Sequence, residues 1–369
     1  MDKTLHIISL DIPYPPDYGG VIDIFYKLQA LHALGIKIIL HCFQYHERKP
    51  NDELDKYCKT VYYYPRLTGF AGLELRAPYI VASRKCQTLL DNLLLDNAPI
   101  LFEGIHTTYF IHSELLKDRT KMLRTHNIES EYYKGLSQYT NDWFKRTYYI
   151  IESLKLEIYE KQLSAITHFL HISEKELAFF KNKYPSSKHQ LIPAFHPFAE
   201  VNIKRGFGKY CLYHGHLGVA ENIKAATYLA KEIFSQINIQ LIIAGKKPSS
   251  EILRLEQKNV KVIANPDQET LASLIQEAQI QLLPIFQDTG IKLKVVHALF
   301  SGRHCLVSNI PKQAKYGSCL QVASTNEQMI LKIQELMQLE FTQEDIELRK
   351  KCLAGFENAN NASGIVSFL

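Results

Sequence analysis

Nowhere in this sequence do eighteen or more apolar residues run together, so no segment reads as a membrane-spanning helix. Neither sign of charge is in large excess. A formal net charge of +5 over 369 residues does not demand nucleic acid, and it is compatible with anionic substrates or an anionic membrane surface. Residues 1–13 meet an acidic residue at once and hold too short an apolar run for a signal peptide. The seven cysteines (Cys42, Cys58, Cys86, Cys211, Cys305, Cys319 and Cys352) include no pair at metal-ligand spacing. An odd, unpatterned set fits buried thiols in a reducing cytosol better than a disulfide framework, which points to a cytoplasmic protein. Glycines at G-x-G-x-x-G spacing are missing after the first β-prone run, which disfavours a Rossmann dinucleotide site.

What the sequence does have is alternation. Apolar, β-prone runs at 5–10, 36–43, 61–64, 100–102, 122–124 and 166–171 are separated by helical patterns, among them 21–34 and 85–96. A second series follows at 210–214, 240–244, 260–263, 280–283 and 304–307. Alternation of this kind predicts right-handed crossovers and parallel sheets covered on both faces. The length exceeds what one core normally organises. The segment PAFHPFAEVNIKRGFGK, rich in proline, glycine and charge, is the best linker between the two series. The expected architecture is α/β, with two Rossmann-like doubly wound domains facing each other across a cleft.

In such sheets ligands bind at the carboxyl ends of strands, so chemistry is sought in the following loops. The richest is DTGIKLKVVHALFSGRHCLVS at 288–308, a loop running into a helix and then a strand. The first N–H groups of a helix lack internal partners and carry the positive end of its dipole, which suits phosphate. Thr289, Gly290 and Ile291 fall at that end, with Lys292 and Lys294 within one turn. These two lysines are two residues apart and point to different faces, so at most one meets a given phosphate. Gly19 and Gly20 sit where the first loop enters its helix and permit close approach of a ligand to backbone. His126, Asn127 and Glu129 crowd the loop after the fifth strand, where a neutral imidazole can bond a sugar hydroxyl. Glu103 and His106 follow the preceding strand. In the second series Gly215 ends a strand and the loop enters a helix near Glu221 or Asn222. Gly245 ends the next strand, ahead of Lys246 and Lys247.

The order of these motifs resembles the retaining nucleotide-sugar glycosyltransferases of the GT-B fold, in the large family four group. The segments that carry the likeness are PPDYGG, RTHNIES, YHGHLGVAEN, IIAGKKP and TGIKLKVVHALFSGRHCLVS, in the right order and spread over nearly the full length. The resemblance implies an acceptor domain over 1–195, a nucleotide-sugar domain over 196–341, and a C-terminal helix within 342–369 packing back toward the first domain. It implies a nucleoside diphosphate sugar as co-substrate, no cofactor and no metal, with helix N-termini and basic side chains stabilising the diphosphate. Lys294 and the backbone at Thr289, Gly290 and Ile291 would meet that diphosphate, with Lys292 a further donor-side candidate. Gly19 and Gly20 would approach it from the first domain, His126 would sit by the transferred sugar, and Gly245 with the 263–266 loop would line the nucleobase pocket. Glu103, His106, Asn127 and Glu129 are the acceptor-side candidates.

The chain departs from the family pattern at three places. Many members carry a glutamate at the position of His297, an arginine at that of His216 and a lysine at that of Asn222. A neutral histidine still bonds a ribose hydroxyl but has one acceptor nitrogen. These departures keep a degenerate, non-catalytic GT-B binding partner or scaffold in view as an alternative. A sugar-nucleotide epimerase fits less well, because few carboxylates accompany the donor motifs. The partners implied are a nucleotide sugar and a glycan or lipid-linked acceptor, in surface polysaccharide or glycolipid assembly, with no nucleic acid. The long helical pattern at 131–163 gathers Trp143, Phe144, Lys145, Arg146, Tyr148 and Tyr149. That cluster is compatible with peripheral contact on the inner face of the membrane, and equally with core packing.

Overall fold

The computed structural model describes residues 3–45, 48–140, 142–286, 293–309 and 317–369. The chain divides into two compact units. One runs to Pro197 and takes back Phe356–Leu369, and the other lies within Phe198–Gly355.

The first unit is built on a seven-stranded sheet of order β3-β2-β1-β4-β5-β6-β7, every neighbouring pair parallel. Its strands are β1 Thr4–Ser9, β2 Lys37–Gln44, β3 Thr60–Pro65, β4 Ile100–Glu103, β5 Lys121–Thr125, β6 His168–His171 and β7 Lys188–Leu191. Side chains alternate between its two faces, as the pleat requires. Ile8, Phe43, Phe102, Leu123 and Phe169 fill one core, while Leu5, Ile7, Leu40, Leu101 and Leu170 fill the other. The sequence expectation of a parallel α/β sheet holds for both units. The strand it did not anticipate here is β7, whose Lys-His-Gln-Leu sequence lies at the sheet edge and is only half-buried.

The second unit has a six-stranded parallel sheet of order β10-β9-β8-β11-β12-β13. These strands are β8 Cys211–His216, β9 Leu241–Lys246, β10 Val260–Ala264, β11 Ile280–Leu283, β12 His304–Val307 and the two-residue β13 Gln321–Val322. Gly245 answers to packing here, because a Cβ on it would collide with the Gly215 carbonyl of the adjacent strand.

Two segments differ from the sequence reading. The helical pattern at 131–163 is two helices, Glu129–Tyr139 and Trp143–Tyr159, because Thr140 is extended and Asp142 caps the second by accepting from the Phe144 and Lys145 N–H groups. Beyond residue 341 there are again two helices. The Gln343–Leu353 helix stays with the second unit, where buried Arg349 donates to the Leu299 and Arg303 carbonyls. The Asn358–Val366 helix joins the first unit, where Ala362 and Ile365 pack beside Ile24 and Leu28, and Asn358 bonds the His196 carbonyl at 2.8 Å. The reading of all cysteines as free thiols is corrected as well. Cys319 and Cys352, 33 residues apart, form a disulfide, and the other five are free. Sequence spacing held no sign of it, since the Gln343–Leu353 helix brings the two together only after folding.

Candidate functional site

In each sheet the strand order reverses once, at β1/β4 in the first unit and β8/β11 in the second. Loops leaving the two strands at such a switch point diverge to opposite faces and open a crevice. Among the described residues, Gly19, Gly20, Glu103 and His106 stand at the ends of or after the first pair of strands, and Gly215, His216, Asn222, Lys294 and His297 at the ends of or after the second.

In the first unit, Gly19 and Gly20 open the Gly19–Ala33 helix, whose first turn has no side-chain cap. The loop before it is held by Tyr18, which donates to Asp11 at 2.9 Å, and by Arg48, stacked on the Tyr18 ring and paired with Asp11 and Asp17. One turn into the helix lies a group of charges of which sequence reasoning named Glu103 and His126 but missed Asp23, Lys27 and Arg124. Asp23 accepts from Lys27 at 2.8 Å, from Arg124 at 3.0 Å and from the Phe195 N–H at 2.8 Å. Lys27 also donates to Glu103 at 2.6 Å, and the second Glu103 oxygen pairs with His126 Nε2 at 3.0 Å. Arg124 completes its own bonding on the Ile192 and Pro193 carbonyls. Asp23, Lys27, Glu103 and Arg124 are all essentially excluded from solvent.

Burial by itself would raise the pKa of Asp23, but the Arg124 guanidinium and Lys27 ammonium outweigh it and hold the carboxyl well below its usual value. Glu103 is likewise lowered, with burial opposed by Lys27 and His126. Two carboxylates balance two cations, and an ionised Glu103 only accepts, so His126 donates through Nε2 and keeps Nδ1 as its remaining bonding atom. Ligand atoms of Asp23, Glu103 and His126 lie within 4.8 Å of one another, a spacing that suits a metal ion. Lys27 and Arg124 already neutralise those carboxylates, so the donor set fits an ion-pair cluster better than a cation site.

The other first-unit candidates divide. His106 Nδ1 is buried without a hydrogen-bond partner among the described residues, and burial with nearby Arg84 keeps this imidazole neutral. Its ring lies against Gly104, whose φ of +73° puts it in the left-handed region where a side chain is strained. Asn127 donates weakly to Glu129 at 3.4 Å. Glu129 turns inward, away from the role of an exposed acceptor contact, and is pushed up to about 7 by burial and by nearby Glu160 and Glu176.

In the second unit, β8 delivers Tyr213, His214, Gly215 and His216 to the switch point. Asn222, on the Ala220–Tyr228 helix, is the hub. Its Oδ1 accepts from Tyr213 Oη at 3.0 Å and from Lys294 Nζ at 3.2 Å, while its Nδ2 donates to the His216 carbonyl at 3.0 Å. The Lys294 ammonium also lies 5.2 Å from the Tyr213 ring centroid. Gly215 leaves room for Asn222, since a Cβ there would press on its amide at 3.3 Å. His216 folds over its own loop, with Nδ1 accepting from the Gly218 N–H at 3.3 Å. His297 lies edge-on to His214, 5.5 Å between centroids, and packs on Phe198. Burial lowers His297 to about 4, and burial with the neighbouring His297 and Lys294 lowers His214 to about 3, so both rings are neutral near pH 7. His214 Nε2 is buried and has no hydrogen-bond partner among the described residues. Behind Gly245, Lys247 and Asn265 both adopt positive φ and are joined by a 2.8 Å bond from the Lys247 N–H to Asn265 Oδ1. Thr289, Gly290, Ile291 and Lys292 lie outside the described residues.

The signal for the buried cluster was present in the sequence. Asp23 and Lys27 stand at i, i+4 on the apolar face marked by Val21, Ile24, Phe25, Leu28 and Leu31, and Arg124 interrupts a core strand.

Residues 208–338 match the sequence family described as glycosyl transferases group 1. A protein of Klebsiella pneumoniae, described as an uncharacterized 44.6 kDa protein in the cps region, is 27% identical over 319 residues, 79% of each chain. Among solved structures, a sucrose-phosphate synthase from Thermosynechococcus elongatus superposes with a TM-score of 0.63 at 14% identity, covering 99% of this chain and 98% of the other. A UDP-forming trehalose-phosphate synthase from Burkholderia vietnamiensis gives 0.61 at 9% identity, with 99% of each chain covered. The chain therefore has the GT-B fold, and its residues 208–338 are similar to the glycosyl transferases group 1 family.

Proposed function

We propose that this protein transfers a sugar, with retention of anomeric configuration, from a nucleoside diphosphate sugar to a hydroxyl acceptor without a metal ion. The carrying observation is the Lys294–Asn222–Tyr213 hub at the β8/β11 switch point, where a fixed cation stands at the carboxyl end of the sheet. We assign the donor diphosphate to the second unit and the acceptor to the first. As the glycosidic bond breaks, negative charge grows on the leaving diphosphate, and Lys294 together with the open first turn of the Ala220–Tyr228 helix stabilises it. The acceptor oxygen bonds the anomeric carbon on the face the leaving group vacates, and the departing phosphate takes the acceptor's proton. His126, held at Nε2 by Glu103, presents Nδ1 to a sugar hydroxyl. The cps-region relative supports assembly of a surface polysaccharide or glycolipid as the setting. A cytoplasmic protein touching the inner face of the membrane would meet a lipid-linked acceptor there.

A second reading has one observation in its favour. His297 is neutral and half-buried where many members carry a glutamate, and His216 spends its ring on its own loop where many carry an arginine. A non-catalytic binding partner on the same fold would tolerate both. The two readings separate in a screen of nucleotide-sugar hydrolysis and transfer over a donor panel. Turnover of at least one donor supports the transferase, whereas absence of both binding and turnover across the panel supports the scaffold.

A further inference from the structure

The Trp143–Tyr159 helix wears its apolar residues on the outside. Trp143, Phe144, Ile150, Ile151, Leu154 and Ile158 are between 45% and 79% exposed, whereas the side chains it buries include Glu152. At 100° per residue these six fall within an arc of about 120° along the whole helix. Thr147 is the polar residue in that arc, and its hydroxyl is folded back onto the Trp143 carbonyl at 2.9 Å. A neighbouring segment extends the surface. Lys155 Nζ bonds the Glu74 carbonyl at 2.9 Å, and the Tyr79 N–H bonds Glu152 at 2.6 Å, which ties the loop carrying Phe70 (91% exposed) and Leu75 (96%) alongside the helix. Contiguous apolar patches beyond roughly 300–600 Å² mark interaction surfaces on soluble proteins, and eight large side chains at these exposures reach that range.

The charges at the edge of the patch identify what it meets. Lys145, Arg146 and Arg76 are exposed and make no ion pair among the described residues. The nearby acids are engaged: Asp142 caps the helix, Glu157 pairs with Lys161 and Glu74 with Lys85. A two-fold contact between copies would set each cationic rim against its twin. Anionic headgroups would neutralise it while acyl chains take up the apolar arc. No helix among the described residues is long and apolar enough to cross a membrane, so such contact is interfacial.

We infer that the outer face of the Trp143–Tyr159 helix, with Phe70 and Leu75, docks this protein flat on an anionic lipid surface. Docking of this kind gives the membrane placement in the proposed function a physical basis, yet vesicle binding tests it without any transfer reaction, so either can fail alone. The experiment is co-sedimentation of the full chain with vesicles of phosphatidylglycerol and phosphatidylcholine, against phosphatidylcholine alone, with oligomeric state followed by light scattering. Wild type binds the anionic vesicles and releases as salt rises. Leu154→Glu with Ile158→Glu lowers the partition coefficient at least about tenfold, and Lys145→Ala or Arg146→Ala lowers it roughly fivefold each. All four side chains are exposed, so unchanged circular dichroism is expected of the variants. Failure of wild type to bind, equal binding by the double variant, or a wild-type dimer that this variant converts to monomer would each overturn the inference, the last by assigning the face to a second copy.

Discussion

The two switch points of this molecule hold polar groups in opposite states. At β1/β4, Asp23, Lys27, Glu103 and Arg124 are charged, buried and bonded to one another, and a single imidazole, His126, leads out of the group. At β8/β11 the rings of buried His214 and half-buried His297 are neutral, His214 Nε2 has no hydrogen-bond partner among the described residues, and Lys294 reaches the Asn222 hub. A charge network that satisfies itself fixes geometry but has little left to offer a ligand. An unmet buried nitrogen beside a cation has bonding capacity to spare. The first point thus holds one residue, His126, in place, and the second is where the proposed function puts the donor.

Breaking the first network gives the largest effect. Removing one partner of a buried pair leaves the other charge uncompensated, so Arg124→Ala costs roughly 3–5 kcal/mol of stability in denaturant unfolding, with Lys27→Ala comparable. A loss below about 1 kcal/mol would show that the network is solvated and that the contrast is false.

Glu129 is next. Its folded pKa of about 7 stands above the ordinary glutamate value, so the fold favours the protonated form. Its contribution is fully present below the ordinary value and is lost as pH rises through about 7. Glu129→Gln stays neutral, and its stability relative to wild type rises by roughly 2–3 kcal/mol between about pH 5 and about pH 8. Parallel melting curves across that window would remove Glu129 as a titrating group.

His297 gives a smaller effect of opposite slope. Its pKa is lowered to about 4, so the unfolded chain binds the proton first, and stability falls as pH drops below the ordinary histidine value. His297→Gln removes about 1 kcal/mol of that loss per pH unit between about pH 6 and about pH 5. An unchanged acid limb would place the ring in contact with water.

How much of this was legible beforehand follows from what each feature depends on. The strands buried on both faces read directly as apolar runs, so β1, β4, β8 and β11, and with them both switch points, were recoverable from the order of motifs. The edge strands β7 and β13 were not, because Lys-His-Gln-Leu and Gln-Val hold no apolar run, unlike the edge strands β3 and β10. Asn222 and Lys294 were named separately, but their 3.2 Å contact joins residues 72 positions apart and depends on the crossover between them. Glu103 was read as an acceptor-side candidate and His126 as the residue by the transferred sugar, while the lysine and arginine that hold them were missed because both sit inside otherwise apolar patterns. The disulfide and the outward apolar face of the Trp143–Tyr159 helix depend on which surfaces remain uncovered, and periodicity gives the stripe without saying which way it faces.

Under the proposed function the second unit holds a nucleotide sugar through Lys294, an assignment open to calorimetric titration of a panel of nucleoside diphosphate sugars into wild type and Lys294→Ala. At least one donor is expected to bind wild type, and the variant, with its melting temperature unchanged, to lose at least roughly tenfold in affinity or turnover for that donor. A panel in which no donor binds, or one that binds both proteins equally, would contradict it.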